Sequence, residues 1–201
     1  MPEAFTTTET ALVNGVSYPE TFAASGTNIE RLSPSVAAAK TGQLTTRTSD
    51  TVGTLTMQSS HGITTGARLV VFWSGGSRRV VVGTVSVNSV PFTGGAGDNL
   101  PDNLTSITAM VAVVGGTSFP SADMVGLAVK GPVACWFGFV DSAASLIEEY
   151  FVDAGKGSSW NDESGATNPL TTAVDPIEEV QFAHGDSTGA KTLYATTVFT
   201  P

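Results

Sequence analysis

Thr51–Phe92 reads TVGTLTMQSSHGITTGARLVVFWSGGSRRVVVGTVSVNSVPF. Three apolar, β-branched runs are separated by short connections of Gly, Ser and Thr, which predicts an antiparallel β unit with tight turns. In the first run Leu55 and Met57 share one strand face, and Thr54 and Thr56 share the other. Ser60 to Gly66 forms a bend, with Gly62 and Gly66 where the chain turns sharply. Arg68 to Trp73 is apolar at both parities, the pattern of a central strand covered on both faces. Ser74-Gly75-Gly76-Ser77 is a hairpin loop, and Arg78 to Val87 returns with Val81, Val85 and Val87 on one face. Val90-Pro91-Phe92 reads as an edge strand, where proline is tolerated.

Outward from this core, strands are predicted at 42–47, 104–114, 124–130 and 133–140. Leu146 to Val152 fits a helix by its Ser145/Glu148 capping box, but alternation fits equally well and its neighbours are β; it is read as a strand. Ile177 to Ala183 and Leu193 to Phe199 read as a closing hairpin. Residues 93–103 and 153–172 read as long exposed loops. Residues 1–41 read as an extended, irregular arm with a turn at Asn14-Gly15 and short helical turns at 29–32 and 36–40. The expected class is all-β, a mainly antiparallel sandwich or barrel. The expected organisation is an arm (1–41), a first β subdomain (42–114) and a second one or a continuation of the same sheet (115–201).

Charged residues make up 13% of the 201 residues, well below the usual quarter, and Thr, Ser, Gly and Val take their place. Hydroxyl surfaces are cheaper to desolvate than charged ones, which suits close protein contact. Residues 1–100 carry six basic and six acidic side chains, and residues 101–201 carry three and twelve, so the whole net charge of −9 sits in the second half. An acidic half repels phosphate backbones and anionic lipid, so neither direct nucleic-acid binding nor membrane association is expected. One cysteine, Cys135, rules out an internal disulfide and reads as a core residue. No signal-peptide pattern and no run of about 20 apolar residues occurs, so the expectation is a soluble product of the cytosol.

Few residues suggest chemistry. His61 and His184 each adjoin a glycine in a turn, and no Gly-x-Ser-x-Gly elbow accompanies them. Asp98, Asn99, Asp102 and Asn103 make an oxygen-rich loop of the kind calcium uses, but Pro101 breaks any EF-hand spacing. Glu148-Glu149 and Glu178-Glu179 are adjacent on strands and point to opposite faces, so neither is a glycosidase pair. The reading is of no enzyme, no cofactor, no metal site and no catalytic residue. Arg78 and Arg79 read as a hairpin-tip pair able to meet an acidic neighbour. Trp160 is the one tryptophan outside a strong strand, and thus the candidate for sugar contact. With the arm's apolar anchors Phe5, Tyr18, Phe22 and Ile29, these form the expected interface set.

The segment Ser60-His61-Gly62-Ile63-Thr64-Thr65-Gly66 and the strand it feeds, to Trp73, resemble a pattern in tailed-bacteriophage virion proteins. There a His-Gly-x-x-x-Gly bend opens a small β domain, and a later strand ends near an Asn-Ser-Val-Pro-Phe-like segment, matched here by Thr84 to Phe92. The resemblance covers about 45 of the 201 residues. In overall style the chain is similar to head decoration (cement) proteins. The resemblance implies a virion structural protein assembled in the host cytoplasm. Its expected partners are the major capsid protein and other copies of itself, as a trimer or higher oligomer. A tail-tube or head–tail joining subunit is the rival within that class. A carbohydrate- or host-binding module is the rival outside it.

Overall fold

The computed structural model describes residues 4–13, 16–25, 28–115, 118–161, 165 and 167–199. Among them the regular structure is all β and pairs antiparallel, with no helix. The chain divides into two units. One comprises Met1–Val36, Val114–Phe182 and Lys191–Pro201, and the other Ala37–Val113 with Ala183–Ala190.

The described residues up to Val36 form strands where an irregular arm was expected: β1 (Ala4–Val13), β2 (Val16–Ser25), β3 (Asn28–Leu32) and β4 (Ser35–Val36). β1 and β2 pair from Ala4↔Ser25 to Val13↔Val16. The two-residue connection that this register requires is the Asn14-Gly15 dipeptide, which itself lies outside the described residues. The helical turns expected at 29–32 and 36–40 do not form. Segments this short cannot meet the cost of helix nucleation, and residues 28–32 find a ladder partner instead.

The second unit is a closed barrel of β5 (Lys40–Arg47), β6 (Gly53–Met57), β7 (Arg68–Trp73), β8 (Gly76–Val82), β9 (Ser89–Thr93) and β10 (Ser106–Val111), in the order β10-β5-β6-β9-β8-β7. Leu44, Leu55, Met57, Leu69, Val71, Val80, Val82, Val90, Phe92 and Ile107 belong to its core. Closure removes sheet edges, so β9 is not the edge strand that Pro91 suggested. It pairs with β6 through Gly53↔Phe92 to Thr56↔Ser89, and with β8 only at Val81↔Thr93 and Val82↔Phe92, away from the proline. β8 is shorter than expected. Arg78, Val80 and Val82 are buried, whereas Val81 is 45% exposed and Val87, in a turn at φ 51°, is 85% exposed. The face shared by Val81, Val85 and Val87 therefore does not exist.

β7 is buried at Leu69, Val70, Val71 and Phe72, as its pattern predicts. Its second covering comes from far along the chain. Gly185 packs so closely on the Phe72 ring that a Cβ there would lie 2.9 Å from it, and Thr108 Oγ1 donates to the Gly185 carbonyl at 2.7 Å. Residues 94–98 are not a free loop either. They extend the sheet along β8, with Arg79 N–H donating to Ala96 O and Asp98 N–H to Ser77 O, both at 2.9 Å. A Cβ on Gly95 would sit 1.8 Å from Arg79 O, so only glycine permits the approach.

The remaining strands are β11 (Val113–Gly115), β12 (Met124–Lys130), β13 (Cys135–Asp141), β14 (Leu146–Val152), β15 (Gly157–Asn161), β16 (Ile177–His184), β17 (Lys191–Thr192) and β18 (Tyr194–Phe199). They build two four-stranded sheets of order β11-β16-β13-β14 and β15-β12-β18-β3. The ambiguous 146–152 segment is thus a strand. β15 falls inside the stretch expected to be loop. β16 and β18 join different sheets and do not form a hairpin, because residues 183–190 leave for the barrel unit between them. β12 and β13 are buried along their whole length. β2 contacts β15, β12 and β18 together, so it crosses the face of that sheet. Trp136 lies over Gly138, where a Cβ would come within 2.3 Å of the indole, and its Nε1–H donates to Glu149 at 2.8 Å.

Arg78 yields a direct test. Its guanidinium donates to the carbonyls of Gly95, Gly97 and Asp98. Arg78→Met leaves these acceptors unpaired and should cost about 3 kcal/mol, read as a lower urea midpoint. Val81→Thr, on the exposed face of the same strand, should change it by less than about 0.5 kcal/mol.

Candidate functional site

The polar residues that the sequence offers for chemistry mostly hold loops. His61 is nearly buried. Its Nδ1 accepts the Ile63 N–H at 3.0 Å, so Nε2 carries the proton and donates to Val87 O at 3.0 Å. His184 is fully buried and its Nδ1 accepts the Asp186 N–H at 3.2 Å. Each imidazole thus closes a turn onto the amide two residues on.

The oxygen-rich loop is dispersed in the same way. Asp98 Oδ2 accepts Ser77 N–H at 3.0 Å, Asn103 Oδ1 accepts Arg47 N–H, and Asp102 and Asp50 face the Arg47 guanidinium. Among the described residues no three of His, Cys, Asp and Glu come together as a metal-ligand set. The Cys135 thiol is buried and pushed upward in pKa by desolvation. Glu148 is raised by partial burial and then by the neighbouring Glu149 charge, and Tyr150 by burial and then by Glu148.

Of the expected interface residues, Arg78 is corrected: it is 5% exposed, and its guanidinium donates inward to the carbonyls of Gly95, Gly97 and Asp98 and does not stand at a hairpin tip open to a neighbour. Arg79 is half-buried beside it. Phe5, Tyr18, Phe22 and Ile29 lie on β1, β2 and β3, and their side chains fall outside the described residues. Trp160 is on β15, opposite Leu127 of β12, and not on a loop.

Trp160 is also where a cavity opens. A cleft of about 440 Å³ lies between the indole, the turn at 121–124 and the segment 168–175, with Met124, Asn168, Thr171 and Asp175 among its walls. Its walls are cross-tied. Asp175 Oδ1 accepts both the Ser121 N–H at 2.6 Å and the Ser121 hydroxyl at 2.9 Å. Asn168 Nδ2 donates to Ser121 O at 3.0 Å, and its Oδ1 accepts Leu170 N–H at 2.8 Å. Leu170 is fully buried and anchors the segment from below. Ser121, Asn168 and Asp175 escaped the sequence reading because they are ordinary turn formers far apart in the chain. The available signal was the pair Asn168-Pro169 and Asp175-Pro176, both turn-initiating dipeptides.

Asp141 secures the adjoining loop. Its Oδ2 accepts Val174 N–H at 2.8 Å, and its Oδ1 accepts Ser145 and Ala143 N–H at 2.9 and 3.0 Å. The Val174 bond, with those from Ser145 and Ala143, holds the carboxyl below its ordinary range against the opposing effect of desolvation.

No protein-family model, curated protein or solved structure matches this chain.

Because the folded-state pKa of Asp141 is depressed, its stabilisation is fully present above the unfolded value of about 4 and is lost as pH falls through the folded one. Asp141→Asn turns an amide NH₂ towards the Val174 N–H. It should lower the melting temperature at pH 7 and shrink the further drop between pH 5 and pH 2 relative to the unmodified chain, measured by calorimetry. His61→Ala should cost about 1–3 kcal/mol by chemical unfolding, through the unpaired Ile63 and Val87 groups.

Proposed function

We propose that this chain is a structural protein of a tailed-phage particle, a head decoration protein that binds the capsid exterior through non-covalent contacts. The supporting observation is local. The two segments that carry the virion-protein resemblance, 60–73 and 84–92, meet in one barrel. His61 Nε2 donates to Val87 O, and Val85 N–H donates to Thr65 Oγ1 at 3.0 Å. The His-Gly-x-x-x-Gly bend is thereby a device for seating β7 against the turn that opens β9. On this reading the pattern serves to seat the strands of the barrel, whose closure leaves no open strand edge to pair with other chains.

Many copies, each making a modest contact, would hold a shell by avidity. The acidic second half favours a position away from packaged DNA. Partners on this reading are the major capsid protein and further copies of the chain.

The test is reconstitution. Purified protein mixed with shells of the major capsid protein of the same particle should bind saturably at stoichiometric sites and raise the temperature at which they open. Polymerisation into tubes or rings, with no shell binding, would assign it to the tail or the head–tail joint. Deleting residues 1–30 is not a clean probe of attachment, since β2 covers a sheet of its own unit.

A further inference from the structure

We infer that the Trp160 cleft is a binding site for a neutral saccharide, an inference that stands independently of the particle assignment. The volume of about 440 Å³ falls in the range of roughly 300–1,000 Å³ typical of small-molecule sites. Its chemistry narrows the ligand. One indole provides a flat apolar wall, and Met124, Ala122 and Ala173 add small apolar contacts. The other described lining groups are Ser121, Asn168, Thr171 and Asp175, three neutral and one a carboxylate.

No Lys or Arg is among the described lining residues, and a phosphate or carboxylate ligand would meet a like charge from Asp175. A purely apolar ligand would strip water from the carboxylate and hydroxyls and leave them unpaired. An organic cation would find the carboxylate, but among the described lining residues it would meet a single aromatic wall where cation recognition uses a cage of several. A pyranose satisfies all of these demands. Its C–H face stacks on the indole while its hydroxyls donate to carboxylate and hydroxyl oxygens.

The acceptor is positioned before the ligand arrives. Asp175 Oδ1 is committed to Ser121, and Oδ2 takes part in neither of those bonds. Asn168 pins the opposite wall to the carbonyls of Ser121 and Met124, at 3.0 and 3.4 Å. Binding therefore need not order these walls, which lowers its entropic cost. Thr171 uses its backbone N–H within the segment and is exposed, so its hydroxyl can be removed without disturbing the cross-ties.

The experiment is ligand-observed saturation-transfer NMR on the full chain. The probes are glucose, galactose, mannose, N-acetylglucosamine, lactose and maltose, each at tens of millimolar, with choline as the cationic counter-probe. At least one sugar should show transfer concentrated on ring C–H protons, with a Kd in the micromolar to millimolar range. Trp160→Ala should weaken it at least tenfold and Trp160→Phe less. Thr171→Val, with its melting temperature unchanged, should weaken it a few-fold, which keeps the test valid if the tryptophan variants unfold. No transfer from any sugar overturns the inference, as does transfer from choline alone. Sugar binding that folded Trp160→Ala and Thr171→Val leave intact would overturn it too.

Discussion

Every buried backbone N–H and C=O must find a partner, and in this chain that constraint governs where the polar side chains go. With no helix among the described residues, the long Gly-rich connections between strands carry many such groups. His61, Arg78, Asp141, Asn168, Asp175 and His184 bond to main-chain atoms of loops, while Asp98 and Asn103 tie their own loop to the strand amides of Ser77 and Arg47. The residues that look most like catalysts in the sequence are therefore tied to the backbone, and the strands can be joined by connections with little regular structure.

Arg78 shows how strongly this shapes the fold. A buried guanidinium is costly unless its donors are met. Here three carbonyls from residues 95–98 meet them, and those carbonyls converge because Gly95 and Gly97 let the chain lie against β8. In the two-sheet unit, Asp141 and Asp175 play the corresponding part with opposite sign, drawing N–H groups from three turns onto two carboxylates. The Trp160 cleft is a by-product of that bracing, since the segment bound to Ser121 forms one of its walls.

The barrel strands were legible where apolar residues occupy both parities or alternate cleanly, as in β7 and β6. What covers Phe72 was not, because Gly185 is more than a hundred residues away and carries no side chain to advertise the contact. β15, GSSWN, has a single large apolar residue and no periodicity to detect. The pairing of the described residues before Val36 was missed because Thr-rich stretches look extended but unpaired, although Asn14-Gly15 is a strong short-range hairpin signal. Trp160 stood out in the sequence as an aromatic of interest, and it lines the cleft. Its companions across the cleft are brought to it only by tertiary structure.

The most direct measurement of the central claim is native-state hydrogen exchange at four loop amides: Ile63, Ser121, Val174 and Asp186. Each donates to a side chain and lies outside any strand. If side-chain acceptors brace these connections, the four amides exchange as slowly as those of the adjoining strands. Exchange near the rate of an unfolded chain, with neighbouring strand amides still protected, would contradict the account.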